Sequence, residues 1–459
     1  MQPALPAFWL RGLRRQAETI DNSRRSMKAH TIYNYQKKTI NLIILSFQLI
    51  SSLLALSETK KSPNMDSIQL APYNDTMRLG QGYNSFLQLP CLDGAVKIHE
   101  SGIQTHVARP DPSASVSQVV SYSSRFVERI SDVARGMNVS AASSIKSGTI
   151  GISGNSLSVD EAKFADSDLN AIISVKVINQ TTTINKNPEF SGLDGKMKMT
   201  NETFFQTFGD CYISGNSHSF NYICICIDRP VEGFVEGGDL HGIISIKAPD
   251  ATKKANIEAA LKGVMNGPAS EFKLSEGLAS SALEAALRDT ETTITVNWSG
   301  GAQIKPDGEE WTLESLLWAA SGFPARVATC PERTWAVLTP YTQNQSFVKW
   351  AAESKIYVPT FSHIEQYTHD LLDSYMLYKR HLVLLQTAMG NPLAFRESKC
   401  DNHIPLDVHS LVETRKDIKR EMAKIVGIID SLNQDPNGII TTEIESAEKW
   451  AARLPLLGN

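Results

Sequence analysis

Between residues 119 and 302 the apolar positions change period several times. Residues 119–135 (VVSYSSRFVERISDVAR) place Phe126, Ile130 and Val133 on one helical face, which predicts a helix. Small and β-branched residues over 137–148 (MNVSAASSIKSG) predict a strand, and a polar excursion follows over 149–170. Ile173, Val175 and Val177 alternate with polar or small partners, so 171–184 is predicted to be a half-buried strand. Residues 199–210 predict a short helix with Thr200 or Asn201 as its cap and Glu202 in its first turn. Residues 234–248 predict a strand kinked at Gly237-Gly238, residues 250–290 a helical excursion, and residues 292–302 a fourth strand.

The C-terminal third has helical spacing throughout. Ile364, Leu371, Tyr375, Leu382 and Met389 mark one helix over 361–389. Leu411, Ile418, Ile425 and Leu432 lie seven apart over 408–432, with Met422 and Ile429 between them, which is an a/d seam. With Pro392 and Pro405 between the two, the expectation is an antiparallel helical hairpin packed on the sheet or on a partner. Upstream, Gly80 and Gly82 mark a turn-rich segment, and 109–118 (RPDPSASVSQ) reads as a linker.

Composition adds little within this body and more at its N-terminus. Of 459 residues, 42% are hydrophobic and 20% charged, ordinary for a chain that buries a core. A net charge of −4 argues against a broadly basic nucleic-acid binder, and no nucleic-acid partner is expected. Six cysteines over this length do not form a disulfide framework. Residues 40–57 (INLIILSFQLISSLLALS) form an apolar run behind Arg24, Arg25, Lys28, Lys37 and Lys38, the layout of a signal or signal-anchor. The other reading is that 1–64 is a mis-called extension, with Met65 the start. The expected location is secreted or membrane-associated if 40–57 is real, and cytoplasmic otherwise.

One stretch interrupts an otherwise continuous pattern. Residues 216–233 (NSHSFNYICICIDRPVEG) stand between FGDCYISG (208–215) and FVEGG (234–238). Without them the chain reads TFGDCYISGFVEGGDLHGIISIK: an aromatic, a glycine, two residues, a tyrosine, six residues and a glycine pair. This resembles the signature of the membrane attack complex/perforin (MACPF) and cholesterol-dependent cytolysin superfamily. Phe208, Gly209, Tyr212, Gly237 and Gly238 occupy the matching positions, while Asp210 and Cys211 depart from the family's Thr-His pair. The sequence looks most like divergent fungal MACPF-like chains that carry a Gly-Asp-Cys form.

The resemblance covers roughly residues 70–350. It implies an α+β fold: a bent, twisted four-stranded antiparallel sheet flanked by two helical clusters, to which the C-terminal hairpin is added. The organisation expected is an extension (1–64), a MACPF-like domain (65–350) and a helical region (351–459). The eighteen inserted residues correspond to 54 nucleotides with flanking codons that can spell splice sites, so 216–233 reads as a retained intron. His218, Cys224 and Cys226 within it have no further ligands nearby, and no metal site or cofactor is expected.

The function the resemblance implies is membrane binding, homo-oligomerisation and pore formation, with helical clusters converting to β-hairpins. Ala255, Ile257, Ala259, Leu261 and Met265 alternate with Asn256, Glu258 and Lys262, as a membrane-inserting strand requires. Residues 149–170, carrying Asp160, Glu161, Asp166 and Asp168, suit insertion poorly, which keeps a non-lytic binding, adhesion or developmental role as the alternative. Asp239, His241 and Cys211 invite a nucleophile reading, but no catalytic motif surrounds them. The expectation is no enzyme.

Overall fold

The computed structural model describes residues 69–97, 103–104, 118–151, 159–181, 183–184, 188–192, 199–214, 234–265 and 285–458. The extension 1–64, the insert 216–233 and all of the linker 109–118 except Gln118 lie outside these residues.

A nine-stranded sheet organises the described residues. Its strands are β1 (Gln69–Pro72), β2 (Gly82–Asn84), β3 (Leu89–Pro90), β4 (Val119–Phe126), β5 (Leu169–Thr181), β6 (Cys211–Ile213), β7 (Phe234–Lys247), β8 (Glu291–Ser299) and β9 (Glu332–Pro340). They are antiparallel, in the path β3-β2-β6-β9-β7-β5-β4, with β1 on β9 and β8 on β7. The sheet is larger than the four strands expected because β1, β2, β3, β6 and β9 were not anticipated. The Thr334–Thr339 run of β9 is buried, so this strand offers no alternation to read, and it recruits β1, β6 and β7.

Two further expectations are overturned. Residues 119–126 form strand β4 rather than the start of a helix, and the helix α1 spans only Ile130–Gly136. In β4 the inward set is Val120, Tyr122 and Phe126, so Phe126 belongs to a two-residue period that happens to continue into the helical spacing of Ile130 and Val133. Residues 137–148 hold helix α2 (Ala141–Ser147) rather than a strand. Its ends carry the chemistry of a helix: the Ser140 side chain accepts from Ser143 N, and Gly148 closes it at φ 77°. The first excursion therefore runs from 127 to 168, not 149 to 170, and includes α3 (Glu161–Asp166).

Elsewhere the described elements match the periodicity, and residues 266–284 of the expected helical excursion lie outside the described residues. Helix α4 (Asn201–Phe208) starts at Thr200, whose side chain accepts from Thr203 N. The second excursion holds α5 (Ala251–Met265), followed after β8 by α6 (Leu313–Thr329), and α7 (Gln345–Ser354) follows β9. Helices α8 (Glu365–Gly390) and α9 (Val408–Gln434) form the C-terminal hairpin, and α10 (Ala447–Arg453) packs on it. His363, just before α8, contacts the Pro436 carbonyl just after α9 at 3.0 Å, so the two helices run antiparallel. The seam Leu411, Ile418, Ile425 and Leu432 is buried within the chain, against α8 and the helices of the first excursion, and Ile172 and Ile243 of the sheet join that core.

The two excursions pack on opposite faces of the sheet. Helices α1 to α3 share a core with Ile172 and Ile243, whereas α5 and α6 share one with Ala171, Ile173, Val175, Leu240, Ile244 and Ile246. Side chains alternate across a strand, so these sets face opposite ways.

Strands β6 and β7 lie end to end along one edge of β9. Leu338 pairs with both Gln69 and Ile213, and Ala336 with both Ala71 and Phe234, so β1 takes one edge of β9 while β6 and β7 share the other. Ser214 N donates to Val337 O, and the next ladder position, Ala336, is already taken by Phe234. The ladder thus leaves at Ser214 and resumes at Phe234 on the adjacent position of β9. A chain lacking 216–233 should fold with thermal unfolding within about 2 °C of the full chain, since no ladder pair is lost. Loss of cooperative unfolding on that deletion would contradict the register.

Candidate functional site

The resemblance motif lies along this β6–β7 edge, and the structure divides it into two places. The first is an aromatic core at the end of α4. Phe208 and Tyr212 are buried with Phe190, Phe204, Tyr341 and Phe347, with ring centroids of neighbouring pairs 5.0–6.2 Å apart. Tyr341 Oη donates to the Phe208 carbonyl at 3.1 Å. Gly209 turns the chain from α4 into β6 at φ 79°, where a Cβ would stand 2.1 Å from the Tyr83 carbonyl oxygen. Only glycine fits that turn.

Asp210 and Cys211, the departures from the family pattern, are both buried beside this core. Asp210 accepts from Ser85 N at 2.7 Å and from Ser85 Oγ at 2.6 Å, tying the β2–β3 loop to β6. Burial pushes its carboxyl up to about 6 against the lowering effect of the Ser85 bonds. The Cys211 thiol donates to Tyr83 O, and burial, with Asp210 nearby, raises its pKa.

The second place is the glycine pair. Strand β7 exchanges edge partners here: Gly237 pairs with Glu332 of β9, and Asp239 with Ser299 of β8. The register against β5 also shifts between Glu236 and Gly237. A Cβ on Gly237 would lie 1.9 Å from Val177 O, and one on Gly300 2.3 Å from Gly237 O. Helix α6 covers Gly238 with Phe323 and Val327. Gly300-Gly301, the other half of this crossing, was missed as such in sequence and read only as a strand end.

The alternating set on α5 is split rather than gathered. Ile257, Leu261 and Met265 face the core, while Ala255 and Ala259 are exposed. The spacing of four selects the buried three in a helix, whereas a strand would place all five on one side.

Asp239 and His241 come together, and Cys211 does not join them. His241 Nε2 donates to Asp239 Oδ2 at 2.9 Å, which leaves Nδ1 to accept from Ser174 Oγ, also at 2.9 Å. Ser174 was not singled out in sequence, because only the register of β5 on β7 reveals it. The three sit flat on the neighbouring strands β5 and β7, each paired along both edges, so the amides around Ser174 are committed to ladders and form no oxyanion cradle. The row orients side chains on the sheet face.

The excursions differ in how they are held. Arg129, at the head of α1, pairs with Asp373, at 2.6 Å, and with Asp370 of α8, and Ser131 donates twice to Asp373. Lys146 reaches Asp430 of α9 at 2.6 Å, and Lys379 reaches Glu161 at 3.1 Å. Helix α5 has no described ion pair to another element. Ser124 Oγ donates to Met265 O at 3.0 Å, and Lys262 lies over the Phe126 ring. Its three buried side chains contribute roughly 6 kcal/mol at ~2 kcal/mol each.

No family model matches the chain, and no curated protein matches it. Among solved structures it is similar to stonustoxin, at 9% identity and a TM-score of 0.39 over 81% of this chain and 43% of that one. It is also similar to GNIP1Aa from Chromobacterium piscinae, at 13% identity and a TM-score of 0.27 over 64% of this chain and 58% of that one. The chain thus spans about half the length of either. Likeness at this level assigns neither fold family nor activity.

Two outcomes follow. Gly237→Ala should cost more than about 2 kcal/mol in denaturant unfolding, because Val177 O is backbone and cannot yield. Gly263→Ala, in open space on α5, should gain up to about 1 kcal/mol; equal effects would remove the case for a close crossing. For Asp210 the folded pKa lies above its ordinary 3.8, so the folded state binds the proton more tightly. This contribution is present at low pH and is lost as pH rises from about 4 to 6. Relative to Asp210→Asn, the wild-type chain should lose on the order of 2 kcal/mol across that window, and parallel stability curves would refute the assignment.

Proposed function

We propose that the chain is a MACPF-like protein that binds a membrane lipid surface, assembles with copies of itself and inserts β-hairpins made from its two excursions. The observation that carries this reading is that both excursions hang from the same end of the four strands β4, β5, β7 and β8. Phe126 pairs with Ala171, Ile246 with Leu169, and Lys247 with Glu291, so the chain leaves and re-enters the sheet at one level. Straightening each excursion would lengthen all four strands in register. Each holds roughly 40 residues, more than two strands of the ~9–11 residues that span a bilayer. Four strands cannot close alone, and unpaired edges in lipid are costly, so insertion calls for several copies in a ring. Among the described residues no helix is long and apolar enough to cross a membrane, which concerns helices and not hairpins.

In this reading α5 leaves first, because fewer contacts hold it, and the alternating set from Ala255 to Met265 becomes the lipid face. The ion pairs from Arg129, Lys146 and Glu161 to the C-terminal hairpin favour a second reading, a non-lytic binding protein whose first excursion stays docked. No enzymatic step is part of either.

The test uses cysteines at 124 and 265, positions joined by the Ser124–Met265 bond, with the six native cysteines changed to serine. The oxidised protein should bind liposomes without releasing dye, and reductant should restore release. A locked form that leaks as fast as the reduced one would end the insertion reading of α5; binding without leakage in both forms would leave the non-lytic one.

A further inference from the structure

On the sheet face that carries the Ser174–His241–Asp239 row, an open cavity of about 300 Å³ lies between β4, β5 and α1. It is lined by Ser121, Ser123 and Arg125 of β4, Ile172, Ser174 and Lys176 of β5, and Arg135 and Gly136 of α1. The lining holds three cations and three hydroxyls and no carboxylate. The strand register explains the convergence: Ser121 stands opposite Lys176, Ser123 opposite Ser174, and Arg125 opposite Ile172, all on one face.

The donors here are largely uncommitted. Among the described residues, no side-chain hydrogen bond engages the hydroxyls of Ser121 and Ser123. Among the described residues Lys176 has no ion pair, and it lies over the Trp335 ring, 5.5 Å from its centroid. Arg125 gives one bond to the Asp132 carbonyl, which leaves most of its fork free. Arg135 meets Asp132 at 3.3 Å and donates to His369, whose pKa is lowered by burial and by that guanidinium. Like charges facing one cavity repel, and an anion between them relieves the repulsion while accepting several charge-assisted bonds.

We propose that this cavity is a binding site for a phosphate-type oxyanion, free or as a phosphomonoester headgroup. Arg125 and Lys176 supply charge from the sheet, Arg135 supplies it from α1, and the Ser121 and Ser123 hydroxyls donate to the phosphate oxygens. Ser174 is a wall rather than a donor, since its proton is held by His241. Because the site is shared between the sheet and α1, an occupying anion ties the first excursion to the sheet.

The experiment titrates inorganic phosphate into the full chain by calorimetry, with amide exchange of α1 read in parallel. Saturable binding is expected, weakened about tenfold by Lys176→Gln and again by Arg125→Gln, with charge-assisted bonds the part removed. Both side chains are solvent-accessible, and circular dichroism confirms that the variants fold. Lys349→Gln, far from the cavity in α7, should bind as the wild type does. Phosphate should also slow exchange in α1 but not in α7. Absence of saturable binding, wild-type affinity in the two cavity variants, or binding that leaves α1 exchange unchanged would each overturn the site. Vesicles containing phosphatidic acid separate the two sources: sedimentation competed by free phosphate indicates a headgroup, and no sedimentation alongside phosphate binding indicates a soluble phosphomonoester.

Discussion

The main-chain crossing at Gly237-Gly238 and Gly300 is the contact on which the rest of the sheet depends. Three backbones meet there with no side chain between them: β7, the turn after β8, and β5 at Val177. Close approach lets β7 change partner within two residues, from β9 on its first part to β8 on its second. One long edge thereby joins two halves of different character. The half with β1, β2, β3, β6 and β9 is built around buried aromatics, while the half with β4, β5, β7 and β8 carries the excursions.

That division assigns different physical tasks to the two ends of the motif. Phe208 and Tyr212 anchor the rigid half through ring contacts and the Tyr341 bond, and Asp210 fastens the β2–β3 loop beside them. A buried carboxyl with two donors from one serine is a structural fixture, and it accounts for an acid at that position without any chemistry. At the other end the glycines permit the partner exchange, and helix α6 covers them.

The two excursions share a starting level but not a face, and their surroundings set how readily each could move. Helices α1 to α3 are enclosed by the C-terminal hairpin and tied to it at Arg129, Lys146 and Lys379. Helix α5 has one line of buried residues and an exposed opposite side. A cationic cavity beneath α1 adds a further point at which the first excursion can be fastened. Unequal restraint, rather than unequal length, is what distinguishes them.

Much of this organisation was legible in the residues. Alternation in 171–184 and 234–248, the cap at Thr200 and the a/d seam from Leu411 to Leu432 each report a local period that burial on one side imposes. Strand β4 was hidden because Phe126 fits two periods at once, and β9 because a strand buried on both sides has no alternation. Helix α2 is made of small residues with no apolar stripe, so only its caps marked it. The pairing of Ser174 with His241, the cavity lined by Arg125, Arg135 and Lys176, and the opposition of Gly237 to Gly300 were beyond any local reading. Each depends on which strands lie side by side and in what register. Sequence by itself determined the periods and the caps, since these arise from neighbours along the chain. Only the tertiary structure decided which distant residues meet, because register is set by the whole sheet closing at once.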